Sequence, residues 1–349
     1  MKLPRARTLW AASLALWSLV PGCLPRDTRP VPGSLFVTAT GGAPLLGGHA
    51  AALTADGWSV SYDRFLITLG GASLGGDSCA SYYDADYSRI LDMQTKGPQK
   101  VGLVYALGPC DFGFRVSGPN ALALLGQGVT DADKAFMGAP GTDPYVKNRG
   151  ISLHVEGHAT KGTISKTFSW EFRQRVSYRK CSPMSAGTPS PDLASSDAGD
   201  AGGPPSFDLA SGEAATVDLA IKGEALFLDS LDETRAALRF DTFARADDEY
   251  GNGDGEVTLA ELGLVPIGDV TTGGSPGEAS DAGTVEAGIA DTGAPPANTS
   301  ESGPLDASTL DGGPRGWKTF EDFVYLGLFP KVASLSGGTC SSRVGGFFR

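Results

Sequence analysis

The stretch TFSWEFRQRVSY (167–178) puts Phe168, Trp170, Phe172, Val176 and Tyr178 on one side of an extended chain, with Ser169, Glu171, Arg173, Arg175 and Ser177 on the other. Alternation with a period of two marks a strand with one buried face. The pattern recurs upstream. GWSVSY (57–62) aligns Trp58, Val60 and Tyr62, and CDFGFRV (110–116) aligns Phe112, Phe114 and Val116. Further strands are expected at 34–40, 64–70, 88–93, 101–107 and 151–156, with Lys161-Gly162 as a turn between two of them. Roughly eight short strands within one segment, 34–182, predict an antiparallel β-sandwich. ATVDLAIKG (215–223) is expected to return to it as a ninth.

Outward from this segment the composition changes twice. Residues 183–207 and 268–315 are built from Ala, Asp, Gly, Pro, Ser and Thr and hold almost nothing large and apolar. Such segments cannot offset the entropy of ordering the chain, so both are expected to be disordered insertions. Between and beyond them the period becomes helical. DETRAALRFDTFARAD (232–247) spaces Leu238, Phe240, Phe243 and Ala244 as a short amphipathic helix within the segment 208–267. WKTFEDFVYLGLF (317–329) predicts a second helix in the segment 316–349, with Phe320, Phe323, Val324 and Leu328 facing inward. The expected fold is mainly β: a sandwich with a small helical lobe and two insertions.

The first of these helices leads into ADDEYGNGDGEVTLAEL (246–262). Calcium loops place oxygens at positions one, three, five, seven, nine and twelve, with glycine at six for the sharp turn. Asn252 fits position three, Asp254 five, Gly255 six, the Glu256 carbonyl seven, Thr258 nine and Glu261 twelve, and β-branched Val257 sits at eight. This run resembles the EF-hand family, and the resemblance implies calcium as the bound ion. Position one falls on Tyr250, whereas Asp248 stands four residues before Asn252, as if two residues had been inserted. A lengthened loop brings Asp248, or Asp247, to the metal at small entropic cost. A metal-free reading competes: Thr258-Leu-Ala-Glu261 is also a capping box that starts a helix unaided. No second such loop is found, so a structural role is expected over a sensor's.

The N-terminus sets the compartment. Lys2, Arg5 and Arg7 precede an apolar run, Leu9–Val20, too short for a comfortable membrane span and suited to a signal peptide over 1–22. It closes on LVPGC, where Gly22 precedes Cys23, and this resembles the lipobox of bacterial lipoproteins. The resemblance implies acylation of Cys23, a tether over 23–33, and a lipid membrane as partner. Leu24 after the cysteine favours the outer membrane. The other cysteines, Cys79, Cys110, Cys181 and Cys340, are even in number, as an oxidising compartment allows. Of the three possible pairings, Cys79–Cys110 with Cys181–Cys340 is favoured. The formal net charge of −12, without a Lys/Arg-rich block, argues against nucleic acid.

Two weaker constellations remain. In ISLHVEGH (151–158) a strand puts His154, Glu156 and His158 on one face, a possible copper site in a periplasmic protein, since copper-binding proteins of the methanobactin-associated type are also β-sandwiches. GASLG (71–75) matches the G-x-S-x-G elbow of hydrolases, but no helix follows it, so a secreted hydrolase is the remotest reading and the chain is expected not to be an enzyme. The ordered parts together resemble a group of secreted Gram-negative lipoproteins, opening near SLFVTATG (34–41) and closing near FSWEFRQRVSYRKC (168–181), then an EF-hand-like segment. That group carries no established activity. The expectation is a calcium-stabilised binding or structural module with an unidentified protein or glycan partner.

Overall fold

β1 (Gly33–Gly41) lies between two strands far from it in sequence, and the architecture follows from that placement. The computed structural model describes residues 30–45, 52–82, 87–141, 149–183, 207–232, 234–270 and 317–345. The signal segment, Cys23, and the insertions apart from residues 183, 207 and 268–270 lie outside them. β2 (Ala52–Leu53) and β3 (Ser59–Gly75) form a hairpin, followed by β4 (Ala80–Tyr82), β5 (Ser88–Asp92) and the long β6 (Gln99–Val116). Then come β7 (Leu124–Leu125), helix α1 (Asp131–Met137), β8 (Leu153–Lys161), β9 (Ile164–Phe172) and β10 (Arg175–Pro183). β11 (Phe207–Leu209) and β12 (Ala214–Ile221) follow the first insertion. Helix α2 (Asp241–Arg245), β13 (Glu256–Val257) and helix α3 (Leu259–Leu262) come next, and α4 (Phe320–Asp322), β14 (Ala333–Leu335) and β15 (Gly338–Gly345) follow the second insertion.

The fold is mainly β, a single curled sheet whose central path runs β13-β9-β8-β3-β6-β1-β12-β14. It is mixed where an antiparallel one was expected. Most ladders are antiparallel, but β1–β12, β5–β7 and β13–β9 are parallel. Antiparallel neighbours need only a hairpin, whereas β12 reaches β1 across a long connection and is free to run alongside it. Two pairs of expected strands fuse. Residues 57–62 and 64–70 become β3, bent by register shifts at Tyr62/Arg64 and Gly70/Ser73 instead of interrupted by a turn. Residues 101–107 and 110–116 become β6, which turns through Gly108 (φ +86).

The run 167–178 divides in the opposite sense, into β9 and β10. Phe168, Trp170, Phe172, Val176 and Tyr178 are all buried, as their alternation predicts. Gln174, in phase with them, is buried too and donates its side-chain amide to the Tyr325 carbonyl. That break hands β10 from β8 and β9 to new neighbours, β6 and β15.

One dominant core fills the curl. Tyr62, Phe168, Trp170, Phe227, Phe240 and Phe243 meet there ring to ring, with Trp170 and Phe243 stacked at 5.3 Å between centroids. A small satellite core on the opposite face packs Leu66, Ile90 and Ile151 under α1 through Met137. The helix expected over 232–247 is much shorter: only Asp241–Arg245 is α-helical, continued by a π-helical turn at Ala246–Tyr250. Upstream, Leu238 pairs as a β-bridge with Leu228, so its apolar side chain is satisfied without a helix. The second helix divides likewise into α4, a π-helical turn (Phe323–Leu328) and a 3-10 turn (Phe329–Lys331). Phe320, Phe323, Val324 and Leu328 face inward as expected and join the same core as the sheet.

Candidate functional site

The acidic loop is hung from the sheet at both ends. At its entrance Asp56 Oδ2 accepts the N–H groups of Phe240 and Asp241, each at 2.7 Å, and so fixes where α2 begins. Burial pushes the Asp56 carboxyl up, but the hydrogen bonds from Thr54, Asp241 and Phe240 outweigh it and hold the group below its ordinary value. At the exit β13 pairs in parallel with β9, and the Trp170 indole N–H donates to the Val257 carbonyl at 2.9 Å.

Between these anchors the chain solves the problem of the extra residues. The π-helical turn at Ala246–Tyr250 takes up more chain per turn than an α-helix and sends Asp247 inward. Asp247 is fully buried. Its Oδ2 accepts the Gly255 N–H at 3.0 Å and its carbonyl accepts the Gly253 N–H at 3.1 Å, while Oδ1 is buried with no hydrogen-bond partner. Gly253 (φ +68) and Gly255 (φ +89) occupy the left-handed region that the sharp turn demands.

Asn252 and Asp254 are joined within the loop. The Asn252 amide donates to Asp254 Oδ2 at 2.9 Å, and the Asp254 N–H donates to Asn252 Oδ1 at 3.0 Å. Glu256 contributes its N–H to Asp254 Oδ1 at 2.8 Å. These bonds, from Glu256 first and then Asn252, hold the Asp254 carboxyl below its ordinary value. Glu261, nearly buried, accepts from the Thr258 N–H at 2.8 Å and hydroxyl at 3.0 Å, and its other oxygen accepts the Asn252 N–H at 3.3 Å. Thr258 and Glu261 thus form the capping box of α3 and also tie its start to the loop.

Asp248, the carboxylate placed by sequence at the head of the loop, turns instead to Lys166. The Lys166 ammonium lies 2.5 Å from Asp247 Oδ2 and from Asp248 Oδ1 and is 5% exposed. Burial alone would lower its pKa, but the two carboxylates outweigh it and raise the ammonium above its ordinary value. Among the described residues no three His, Cys, Asp or Glu side chains stand close enough together to hold a metal. Lys166 was missed from sequence, although a signal exists: it is in phase with Phe168, Trp170 and Phe172 on the inward side of β9. A lysine there must meet a carboxylate.

The histidine strand forms as expected, with His154, Glu156 and His158 on one face of β8, but His154 is buried against Phe136 and the three take different partners. His154 Nε2 lies 3.0 Å from Glu156 Oε1, and His158 Nδ1 lies 3.1 Å from Asp63 Oδ2. His158 Nε2 is also 2.9 Å from Ser61 Oγ, so Ser61, His158 and Asp63 have the connectivity of a hydrolytic triad. Their burial runs the wrong way for that chemistry: Ser61 is 7% exposed, while the Asp63 side chain is 50% exposed. Water screens the carboxylate that should orient the base and is kept from the hydroxyl that should attack. Ser73 of the GASLG run lies inside β3, not on a strand-to-helix turn.

The cysteines pair Cys79–Cys110 and Cys181–Cys340, as favoured, across sequence separations of 31 and 159. The second joins β10 to β15 beside their ladder. Comparison of the chain with protein-family models, with curated proteins and with solved structures gives no match.

Proposed function

We propose that this chain is a lipid-anchored extracytoplasmic protein whose β-rich body serves as a binding or structural module, stabilised by calcium at the Asp247–Glu261 loop. In this reading the curled sheet works as a sandwich, and α2, the loop and α3 as an irregular EF-hand. The observation that carries it is Asp247: a buried carboxylate folded back onto the Gly255 N–H, with one oxygen lacking any hydrogen-bond partner. It supports Asp247, one residue before Asp248, as the head of the loop. The candidate donors, Asp247, Asn252, Asp254 and Glu261, are all oxygen, which suits a hard cation, and they would draw together around it on binding. Cys23 as the lipid attachment point lies outside the described residues and rests on the LVPGC run alone.

A second reading has its own observation. The Lys166 ammonium already neutralises Asp247 and Asp248, so the loop can stand closed with no metal. One experiment separates the two. Thermal melts of the mature chain in calcium and in EDTA are expected to differ, with the calcium form melting higher and the difference lost in Asp247→Ala/Glu261→Ala. Coincident wild-type melts would favour the lysine-closed loop.

A further inference from the structure

Lys166 and Asp247 stand 81 residues apart in the chain and meet head to head in the interior. We propose that this pair is a self-modification site: the Lys166 amine and the Asp247 carboxyl condense into an amide that joins β9 covalently to the loop, with Asp248 carrying the protons. The inference rests on the lysine-closed reading of the loop and makes that closure covalent.

The backbone builds the meeting. The Thr167 N–H donates to the Gly255 carbonyl at 2.9 Å, and the Gly255 N–H donates in turn to Asp247 Oδ2 at 3.0 Å. Gly255 thus couples Asp247 to β9 at the residue next to Lys166. The Lys166 Nζ stands 2.5 Å from that same Oδ2. The carboxyl carbon is one bond beyond, near the roughly 3–3.5 Å from which attack is productive. Water is kept from both groups. Asp247 is fully buried and follows buried Ala246, and Lys166, nearly as buried, lies two residues before buried Phe168, all against the main core. Asp248 opens to solvent, with its side chain 55% exposed and its Oδ1 2.5 Å from Nζ. A buried amine, a buried carboxyl and a half-exposed acid touching the amine are the three parts that the condensation requires.

The step balances within the three side chains. Asp248 takes a proton from the Lys166 ammonium, and the freed amine attacks Asp247 Cγ. The Gly255 N–H faces the negative charge that gathers on Oδ2. Oδ1, buried with no hydrogen-bond partner, has nothing to hold it and departs as water. Its two protons are those that Nζ gives up, the first of them through Asp248. The Nζ–Cγ bond forms and the Cγ–Oδ1 bond breaks; nothing is oxidised or reduced, and no co-reactant is consumed. Burial works against the ammonium, but the two carboxylates favour it more strongly, so the reactive amine is the minor form and the step is slow. One event per chain suffices, and reactants held in contact gain the rate that free ones lack. Burial also sets the direction, because the ion pair keeps two charges out of water and the amide carries neither. The ion pair is therefore the state before reaction, and the bond accumulates in the folded chain.

The test is intact-mass and peptide mass spectrometry of the full chain after prolonged incubation at neutral pH in EDTA. Wild type is expected to weigh one water less than its residues with both disulfides closed, and to yield a branched proteolytic peptide joining Lys166 to Asp247. Lys166→Arg, which keeps the cation but not the amine, and Asp247→Ala should show neither the missing water nor the branch. Asp248→Ala changes a half-exposed side chain, so it should fold as wild type does and form the bond about a hundredfold more slowly, as the loss of a positioned proton carrier requires. An undiminished wild-type mass, or a branch at any other pair of residues, would overturn the proposal. Formation at the wild-type rate in Asp248→Ala would overturn the role given to Asp248. Melts in calcium and in EDTA are recorded on the same preparations. Coincident melts with an undiminished mass would leave the loop closed by an ion pair and defeat the bond alone. A calcium shift together with the missing water would defeat the metal-free reading and leave the bond standing.

Discussion

Burying an ammonium costs several kcal/mol in lost hydration, and Lys166 recovers it only because two carboxylates meet its head. The pair is therefore sensitive to loss of one member. Lys166→Met should lower stability in EDTA by about 3–5 kcal/mol, since it leaves Asp247 buried and uncompensated. In calcium, the same variant should recover more than wild type does, because the metal no longer competes with the ammonium. Paired melts of the two proteins with and without calcium read this directly. A recovery no larger than the wild-type shift would remove calcium from the site. Asp56 gives a prediction in pH. Its folded pKa lies below the unfolded value of 3.8, so its contribution is fully present above that value and fades as pH falls through the depressed one. Asp56→Asn should thus melt below wild type at neutral pH, with the gap closing only in acid beyond the ordinary carboxylate range. Melts from pH 7 down to 2 would show a gap that is flat with pH if Asp56 acts merely as a shape.

At the scale of elements, the loop is held less by its own bonds than by β9. The Trp170 N–H to the Val257 carbonyl is a buried bond between sheet and loop. Trp170→Phe keeps most of the ring and leaves that carbonyl unsatisfied, which should cost about 1–3 kcal/mol by denaturant titration. A cost near zero would mean that β13 is held by its two-residue ladder alone. The strands were legible in the sequence because each carries its own alternation, and the inward residues of 167–178 are buried in the structure. The break within that run was not legible. Gln174 is polar yet occupies the inward phase, and only its acceptor, the Tyr325 carbonyl more than a hundred residues away, explains its burial. The loop's ligand-type residues were legible from position three onward. At the head of the loop, where the sequence offers Asp248 or Asp247, a π-helical turn buries Asp247 and turns Asp248 to Lys166, a phase that no local spacing announces. Nor does a periodic pattern carry the identity of a strand's neighbour, which is why the parallel pairs emerge only from the register.

For the whole molecule, the C-terminal segment is structural material. Phe320, Phe323, Val324, Leu328 and Phe329 are buried in the main core, β14 extends the sheet beyond β12, and β15 covers β10. The Cys181–Cys340 bond fastens that cover across 159 residues, which the chain-entropy account values at about 5 kcal/mol. Cys181→Ser/Cys340→Ser should lower the denaturation midpoint accordingly, and more than the pair Cys79→Ser/Cys110→Ser, whose loop is five times shorter. The reverse order would point to strain in the native state as the deciding factor. β1 has a consequence of another kind. Thr38 bonds to Asp218, 180 residues later, along a ladder that runs the whole length of the strand. A chain that emerges N-terminus first must hold β1 with one edge open until more than half of the polypeptide has followed. Its folding is governed by that wait: late closure, a high contact order, and a sticky edge exposed during synthesis. Until β12 arrives, the edge of β1 that it will cover is the face of the nascent sheet most open to wrong pairing.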